Sequence, residues 1–216
     1  EKVALEVALG AAFAGARAIA TMKHVGLNVA ADPLFTAAYT YVRGALVVIS
    51  ADDPGLASSQ NELDNRHYAV ASALPMVEPS DSQEAYDFTL AAIELSERWH
   101  LPVLLRLTTR VCLSKTLVRP LDSPLEAPAA SYDKDVRGRV MIPANARPAH
   151  HKLRAKLAEI AAWNETSSLN REVAGTADWG IITSGISFMH AREAAPEANV
   201  LKLGLTYPLP FERIRA

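Results

Sequence analysis

The chain has 216 residues, half of them hydrophobic and 21% charged, enough for one large or two small globular domains. A formal net charge of −2 gives no electrostatic basis for binding nucleic acid or an anionic membrane surface. One cysteine, Cys112, excludes an internal disulfide or a cysteine-only metal or iron–sulfur site within the chain and fits a reduced, cytoplasmic setting. No apolar run approaches the roughly 20 residues needed to span a bilayer.

The first predicted element is a helix from Val3 to Ala16, crowded with alanine and glycine. A short buried strand follows at Ala18–Thr21, then a polar turn, Lys23 to Asn28. Asn28 is positioned to cap a second, almost wholly apolar helix, Val29 to Tyr41. ALVVIS (Ala45 to Ser50) is the clearest strand, short and β-branched as in a parallel sheet covered on both faces. Asp52-Asp53-Pro54-Gly55 reads as a turn, and Ser58 to Arg66 as a polar loop running into a helix that ends near Ala73. PMVEP (Pro75 to Pro79) suggests a short edge strand. Ser80, with Gln83 as capping-box partner, starts a helix with Phe88, Ala92, Leu95 and Trp99 at helical spacing. VLLRL (Val103 to Leu107) is another buried strand, with Cys112 beyond it as a packed small residue.

Residues 113–150, with Pro120, Pro124, Pro128, Pro143 and Pro148, show no sustained period and read as a linker. His151 to Trp163 is an amphipathic helix. His150 and His151 lack partners at metal-ligand spacing and read as surface residues. Strand (Trp179 to Gly185), helix (Phe188 to Ala195) and strand (Asn199 to Pro210) then form a β–α–β unit. The fold class expected is therefore α/β with a parallel sheet: residues 1–112 one domain, 113–177 a linker with one helix, and 178–216 the start of a second α/β domain. Glu1 opens directly into a helical pattern and FERIRA follows a turn-like YPLP, so both ends read as cuts through a longer protein.

Ligands of open parallel sheets bind beyond the carboxyl ends of the strands, which selects the Lys23–Asn28 turn and the Asp52–Arg66 loop. His24 suits proton transfer or a hydrogen bond to a ketone or carboxylate, and Lys23 or Arg66 suits pairing with a substrate carboxylate. The chain has no G-x-G-x-x-G, no phosphate-binding P-loop and no G-x-S-x-G nucleophile elbow. These features by themselves leave a solvated loop and a ligand site both open.

Three long stretches add a resemblance. EKVALEVALGAAFAGARAIATMKHVGLNVAADPLFT, VVISADDPGLASSQNELDNRHYA and EPSDSQEAYDFTLAAIELSERWHLPVLLRLTTR resemble the large subunit of the thiamine-diphosphate-dependent 2-oxoacid:ferredoxin oxidoreductases, in the indolepyruvate-oxidising branch. WGIITSGIS and LKLGLTYPLP resemble the opening of that subunit's transketolase-C-terminal-like domain.

The resemblance implies that 1–112 is a pyrimidine-binding domain in which Glu1 contacts N1′ of the cofactor's aminopyrimidine. A carboxylic acid there favours the imino tautomer whose 4′ nitrogen can take the C2 proton, and burial would keep that acid protonated. It also implies that Gly26 lets the backbone approach the cofactor, that His24 contacts substrate, and that Lys23, Ser59, Gln60, Asn61 and Arg66 line the substrate site. The implied reaction is oxidative decarboxylation of an aryl 2-oxoacid such as indolepyruvate to acyl-CoA and CO2, with ferredoxin as electron acceptor and a beta subunit in a hetero-oligomer. Mg²⁺ and the [4Fe-4S] clusters would be held outside these residues. Another thiamine-diphosphate 2-oxoacid oxidoreductase or decarboxylase, or a non-catalytic α/β binding module, is the alternative.

Overall fold

The computed structural model describes residues 1–122, 126 and 129–216; Pro124 and Pro128 of the expected linker lie outside the described residues. The chain opens with α1 (Lys2–Phe13), β1 (Arg17–Lys23), α2 (His24–Val29), α3 (Ala31–Ala37) and β2 (Ala45–Asp52). A 3-10 turn (Pro54–Leu56) leads to α4 (Arg66–Ser72), β3 (Met76–Val77), α5 (Ser82–Trp99), β4 (Val103–Thr108) and α6 (Thr109–Leu113). Then come α7 (Val136–Arg139), α8 (Pro143–Asn164), β5 (Arg171–Val173), β6 (Gly180–Ser184), α9 (Ser187–Ala194), β7 (Asn199–Leu203), β8 (Leu205–Tyr207) and α10 (Phe211–Arg215).

The main sheet has the order β1-β2-β4-β3-β8, with β1, β2, β4 and β3 parallel and β8 antiparallel to β3. Successive residues Val47 and Val48 point to opposite faces of β2 and are both fully buried, so the sheet is covered on both sides. Helix α1 packs on β1 and β2, and α5 on β2 and β4. Gly44 enters β2 so close to the preceding loop that a Cβ there would collide with the Ala16 carbonyl. Helix α5 starts one residue later than expected. Asp81 caps it by accepting from Glu84 N at 2.8 Å, and the Glu84 carboxylate accepts from Ser80 N at 2.7 Å, while Gln83 turns away to Asp87.

Several sequence expectations are corrected. The polar turn expected at Lys23–Asn28 is instead helix α2, and the helix expected from Val29 to Tyr41 is reduced to α3, Ala31–Ala37; Asn28 lies inside α2 and takes a hydrogen bond from the Tyr68 hydroxyl instead of capping. The strand at Met76–Val77 is not at an edge, because β8 pairs with it from about 130 residues away, and the pairing continues as Glu78 N to Gly204 O at 2.8 Å. Cys112 is exposed on α6, though partial burial still raises its thiol pKa. The expected terminal strand is two, β7 and β8, in different sheets.

The Pro-rich region also hides structure. Helix α8 begins at Pro143, eight residues before the expected start, with proline at its first position and a second one, Pro148, inside it. Pro148 removes one helical hydrogen bond, which is why the stretch reads as irregular. Leu153, Leu157 and Ile160 of α8 are buried in the same core as the main sheet, and Trp163 stands edge-on to Trp99 at 5.2 Å.

A small three-stranded sheet, β5-β7-β6, carries α9 and its own cluster of Phe188, Ala198 and Val200. It is tied to the main body by the buried Lys202, which pairs with Glu84 and lies over the Phe88 ring, and by Asn164, whose amide donates to Leu205 O and Pro208 O. Burial pushes the Lys202 ammonium below its ordinary pKa, and the Glu84 carboxylate opposes that. Among the described residues, no helix is long and apolar enough to cross a membrane.

Candidate functional site

Because β1, β2, β4 and β3 run parallel, their carboxyl ends share one edge, and the turns after Lys23, Asp52, Val77 and Thr108 gather there. His24 begins α2 at the end of β1 and is fully buried. Its Nε2 lies 3.0 Å from the Asn61 carbonyl oxygen. A carbonyl only accepts, so Nε2 carries the hydrogen, and Nδ1 is left without a partner.

Two residues further along α2, Gly26 lies under the first residue of the chain: a Cβ there would stand 2.5 Å from Glu1 Cγ and 3.0 Å from Met22 Cβ. Positions i and i+2 of a helix face opposite ways, so the Glu1 contact belongs to Gly26 and not to His24. Glu1 itself is exposed, so these residues do not provide the burial that would keep its carboxyl protonated.

The polar loop after β2 is built rather than merely solvated. Asp53, 3% exposed, accepts from Thr109 Oγ1 at 2.7 Å, Ser59 Oγ at 2.7 Å and Ser58 N at 2.6 Å. These hydrogen bonds, that of Thr109 first, hold its carboxyl at about 2. Lys23 Nζ donates to Ser58 O at 2.7 Å, joining the loop to the end of β1. Of the expected site residues, Lys23, His24, Ser59 and Asn61 are therefore brought together, with Gln60 exposed beside them.

Arg66 sits apart from that group. It begins α4, half-exposed, and forks onto Asp64 at 2.6–3.0 Å. Burial pushes the Asp64 carboxyl up, but the Arg66 hydrogen bonds and the Arg106 charge outweigh it and bring the pKa to about 2.

Behind Arg66 lies a buried network that the sequence reading did not single out. Arg106, 6% exposed, donates to Asp52 Oδ2 at 2.6 Å and to Glu78 Oε2 at 3.1 Å. Ser50 Oγ donates to Asp52 Oδ1 at 2.8 Å, and Asn65 adds N to Asp52 Oδ2 at 3.1 Å and Nδ2 to Ser50 Oγ at 2.6 Å. The available signal was a single cation in the otherwise apolar strand VLLRL. A charge at such a position needs a buried partner. Among the described residues, no group of three or more His, Cys, Asp or Glu side chains is placed to hold a metal ion.

Residues 1–148 match the family described as "Pyruvate flavodoxin/ferredoxin oxidoreductase, thiamine diP-bdg". The chain belongs to this family. Among curated proteins of the family, the indolepyruvate oxidoreductase subunit IorA of Methanothermobacter thermautotrophicus is 48% identical over 97% of the chain. Those of Archaeoglobus fulgidus and Pyrococcus horikoshii are 45% and 39% identical, over 97% and 98% of it. The chain spans about a third of these relatives, 34–35% of their length.

A solved 2-oxoglutarate:ferredoxin oxidoreductase from Magnetococcus marinus, with 2-oxoglutarate, coenzyme A and succinyl-CoA bound, shares the fold at a TM-score of 0.72 and 18% identity. It is matched over 99% of this chain and 46% of its own. The parallel α/β architecture is thus that of the thiamine-diphosphate-binding part of these oxidoreductases.

Proposed function

We propose that the chain supplies the pyrimidine-holding half of the thiamine-diphosphate site in an oxidoreductase that oxidatively decarboxylates aryl 2-oxoacids such as indolepyruvate. The observation carrying this reading is the corner in which the Glu1 side chain lies over Gly26, two residues from the buried His24 in the helix that follows β1. One 2-oxoacid and one coenzyme A give acyl-CoA, CO2 and a proton, and two electrons leave singly to two ferredoxins.

Bound in this corner, thiamine diphosphate supplies the carbanion chemistry that cleaves a 2-oxoacid between its carboxylate and its carbonyl carbon. Glu1 would reach N1′ of the aminopyrimidine, the burial around it coming from the bound ring and the rest of the assembly, and Gly26 makes room for the Glu1 side chain to take that position. His24, fixed by the Asn61 carbonyl, offers Nδ1 as an acceptor to a hydroxyl or N–H of the substrate. Lys23 keeps donors to spare beyond its bond to Ser58 and would face the substrate carboxylate, with Ser59, Gln60 and Asn61 lining the approach; Arg66, held by Asp64, is not brought to that group. In this reading the main sheet forms the cofactor unit and the small sheet with α9 a second one; the expected divisions at 112 and 177 do not follow the fold, since α8 and β8 belong to the main body and β5 to the small sheet. Mg²⁺, the [4Fe-4S] clusters and the beta subunit belong to the rest of a cytoplasmic assembly.

The test is Glu1→Gln in the assembled enzyme. The expected result is a loss of kcat of about 10²- to 10⁴-fold, as for removal of an acid–base group. The thermal midpoint should stay unchanged because Glu1 is exposed. Full turnover by the variant with added thiamine diphosphate would overturn the reading.

A further inference from the structure

At the amino edge of the main sheet, opposite the candidate site, an open cleft of about 640 Å³ lies between α7, α8 and the loops that lead into β2 and β4. Tyr39 to Tyr41 precede β2 and Leu101 precedes β4, so the cleft shares no residue with the edge that gathers Lys23, His24 and the Asp53 loop. Its volume is that of a small-molecule site, which runs from about 300 to 1,000 Å³.

The charge of this cleft is one-sided. The stretch of α8 from Pro143 to Ala158 carries Arg147, Lys152, Arg154 and Lys156 and no carboxylate, in a chain whose net charge is −2. Lys152 and Lys156 stand four residues apart and so share the helix face that lines the cleft, where Arg137 of α7 joins them. Among the described residues, none of these three cations has an ion-pair partner. The lining holds one carboxylate, Asp135, which caps α7 by accepting from Gly138 N at 2.9 Å.

Lys156 shows most directly what is missing. It is half-buried, its Nζ meets only the His100 carbonyl oxygen at 3.5 Å, and the Tyr41 ring lies 5.9 Å away. Burial lowers the pKa of its ammonium, Glu159 opposes this, and Lys152 adds to the lowering. Like charges at this helical spacing repel each other, and an anion between them removes the repulsion and takes their spare donors. Beside the cations, Tyr39, Leu101, Met141, Pro148 and Leu153 offer aromatic and apolar surface to a flat ring.

We propose that this cleft binds a nucleotide, with its diphosphate held by Arg137, Lys152 and Lys156 and its ring on the apolar lining. At the amino edge the nucleotide is not placed to react, and the site stands apart from the cofactor and substrate reading above.

The experiment is calorimetric titration of the assembled enzyme with ADP, adenosine and inorganic pyrophosphate, in wild type, Lys152→Gln and Lys156→Gln. Wild type is expected to bind ADP, and to bind adenosine at least about tenfold more weakly because it lacks the phosphates. Lys152→Gln should weaken ADP binding by about tenfold or more, the range of a hydrogen bond to a charged group. Its thermal midpoint should hold, because Lys152 is exposed. Lys156→Gln should weaken ADP binding in the same direction. Pyrophosphate should bind more weakly than ADP and show the same dependence on the two lysines. Absence of ADP binding by wild type overturns the proposal. Equal ADP affinity in wild type and both variants overturns it too, because the nucleotide then sits elsewhere in the assembly, the coenzyme's own site included. Pyrophosphate bound as tightly as ADP overturns the assignment to a nucleotide, because the ring then contributes nothing.

Discussion

Replacing Arg106 by methionine should destabilise the protein severely, through charge and not through lost volume. Methionine keeps much of the side chain's apolar length, so little cavity is created. What disappears is the cation between Asp52, whose side chain is fully buried, and Glu78, 3% exposed at the side chain. Breaking a buried ion pair by removing one partner costs about 3–5 kcal/mol, because the remaining charge stays out of water. Here one guanidinium serves two carboxylates at 2.6 and 3.1 Å, which places the expectation at the upper end of that range. For a chain of this size each kcal/mol moves the thermal midpoint by about 2–4 °C. The variant should therefore melt roughly 6–20 °C lower at neutral pH.

Urea unfolding followed by circular dichroism measures the loss directly, with an unchanged m-value indicating an unchanged native state. The triple variant Asp52→Asn, Glu78→Gln, Arg106→Met should recover much of the loss, since it leaves no buried charge unpaired. A deficit under about 1 kcal/mol would refute this account, because the median exposed ion pair is worth no more than that. A triple variant as unstable as the single one would refute the electrostatic origin.

Gly26→Ala should weaken thiamine diphosphate binding in the assembled enzyme by tenfold or more, since the new Cβ lies 2.5 Å from Glu1 Cγ and displaces that side chain. Its thermal midpoint should not rise, because the helix preference of about 1 kcal/mol for alanine over glycine is offset by the 3.0 Å approach to the buried Met22 Cβ; unchanged cofactor affinity by calorimetry would count against the Glu1–Gly26 corner. The pKa of the Asp53 carboxyl sits at about 2, below its ordinary value of 3.8, so its hold on the loop is complete above the unfolded value and is lost as pH falls through about 2. Wild type should accordingly keep the Ser58 amide protected from hydrogen exchange down to about pH 3, whereas Asp53→Asn should speed its exchange at neutral pH; equal rates in the two proteins would exclude Asp53 as the loop's anchor.

What was legible in the sequence was local. ALVVIS and VLLRL read as buried parallel strands because continuous β-branched and apolar runs have few other uses, and α5 read as a helix because Phe88, Ala92, Leu95 and Trp99 recur at its period. The loops after β1 and β2 were found because parallel strands send their carboxyl ends to one edge, and three long motifs carried the family. The polar loop could not be told from a solvated one. The difference lies in Asp53 reaching Thr109, 56 residues away, and in His24 meeting the Asn61 carbonyl.

The sequence by itself determined the alternation of helix and strand, the end of the sheet where the candidate residues gather, and the chemical type of the residues there, since each depends on periods and residue classes within a few turns of chain. Only the tertiary structure decided which of those residues meet. It tied Arg66 to Asp64, buried Arg106 between Asp52 and Glu78, brought β8 onto β3, and carried Ser184 to Glu78 from 106 residues further along. Such partnerships are fixed by non-local pairing and by the need to neutralise buried charge; a lone cation in an apolar strand signals that a partner is needed, but not which residue it is.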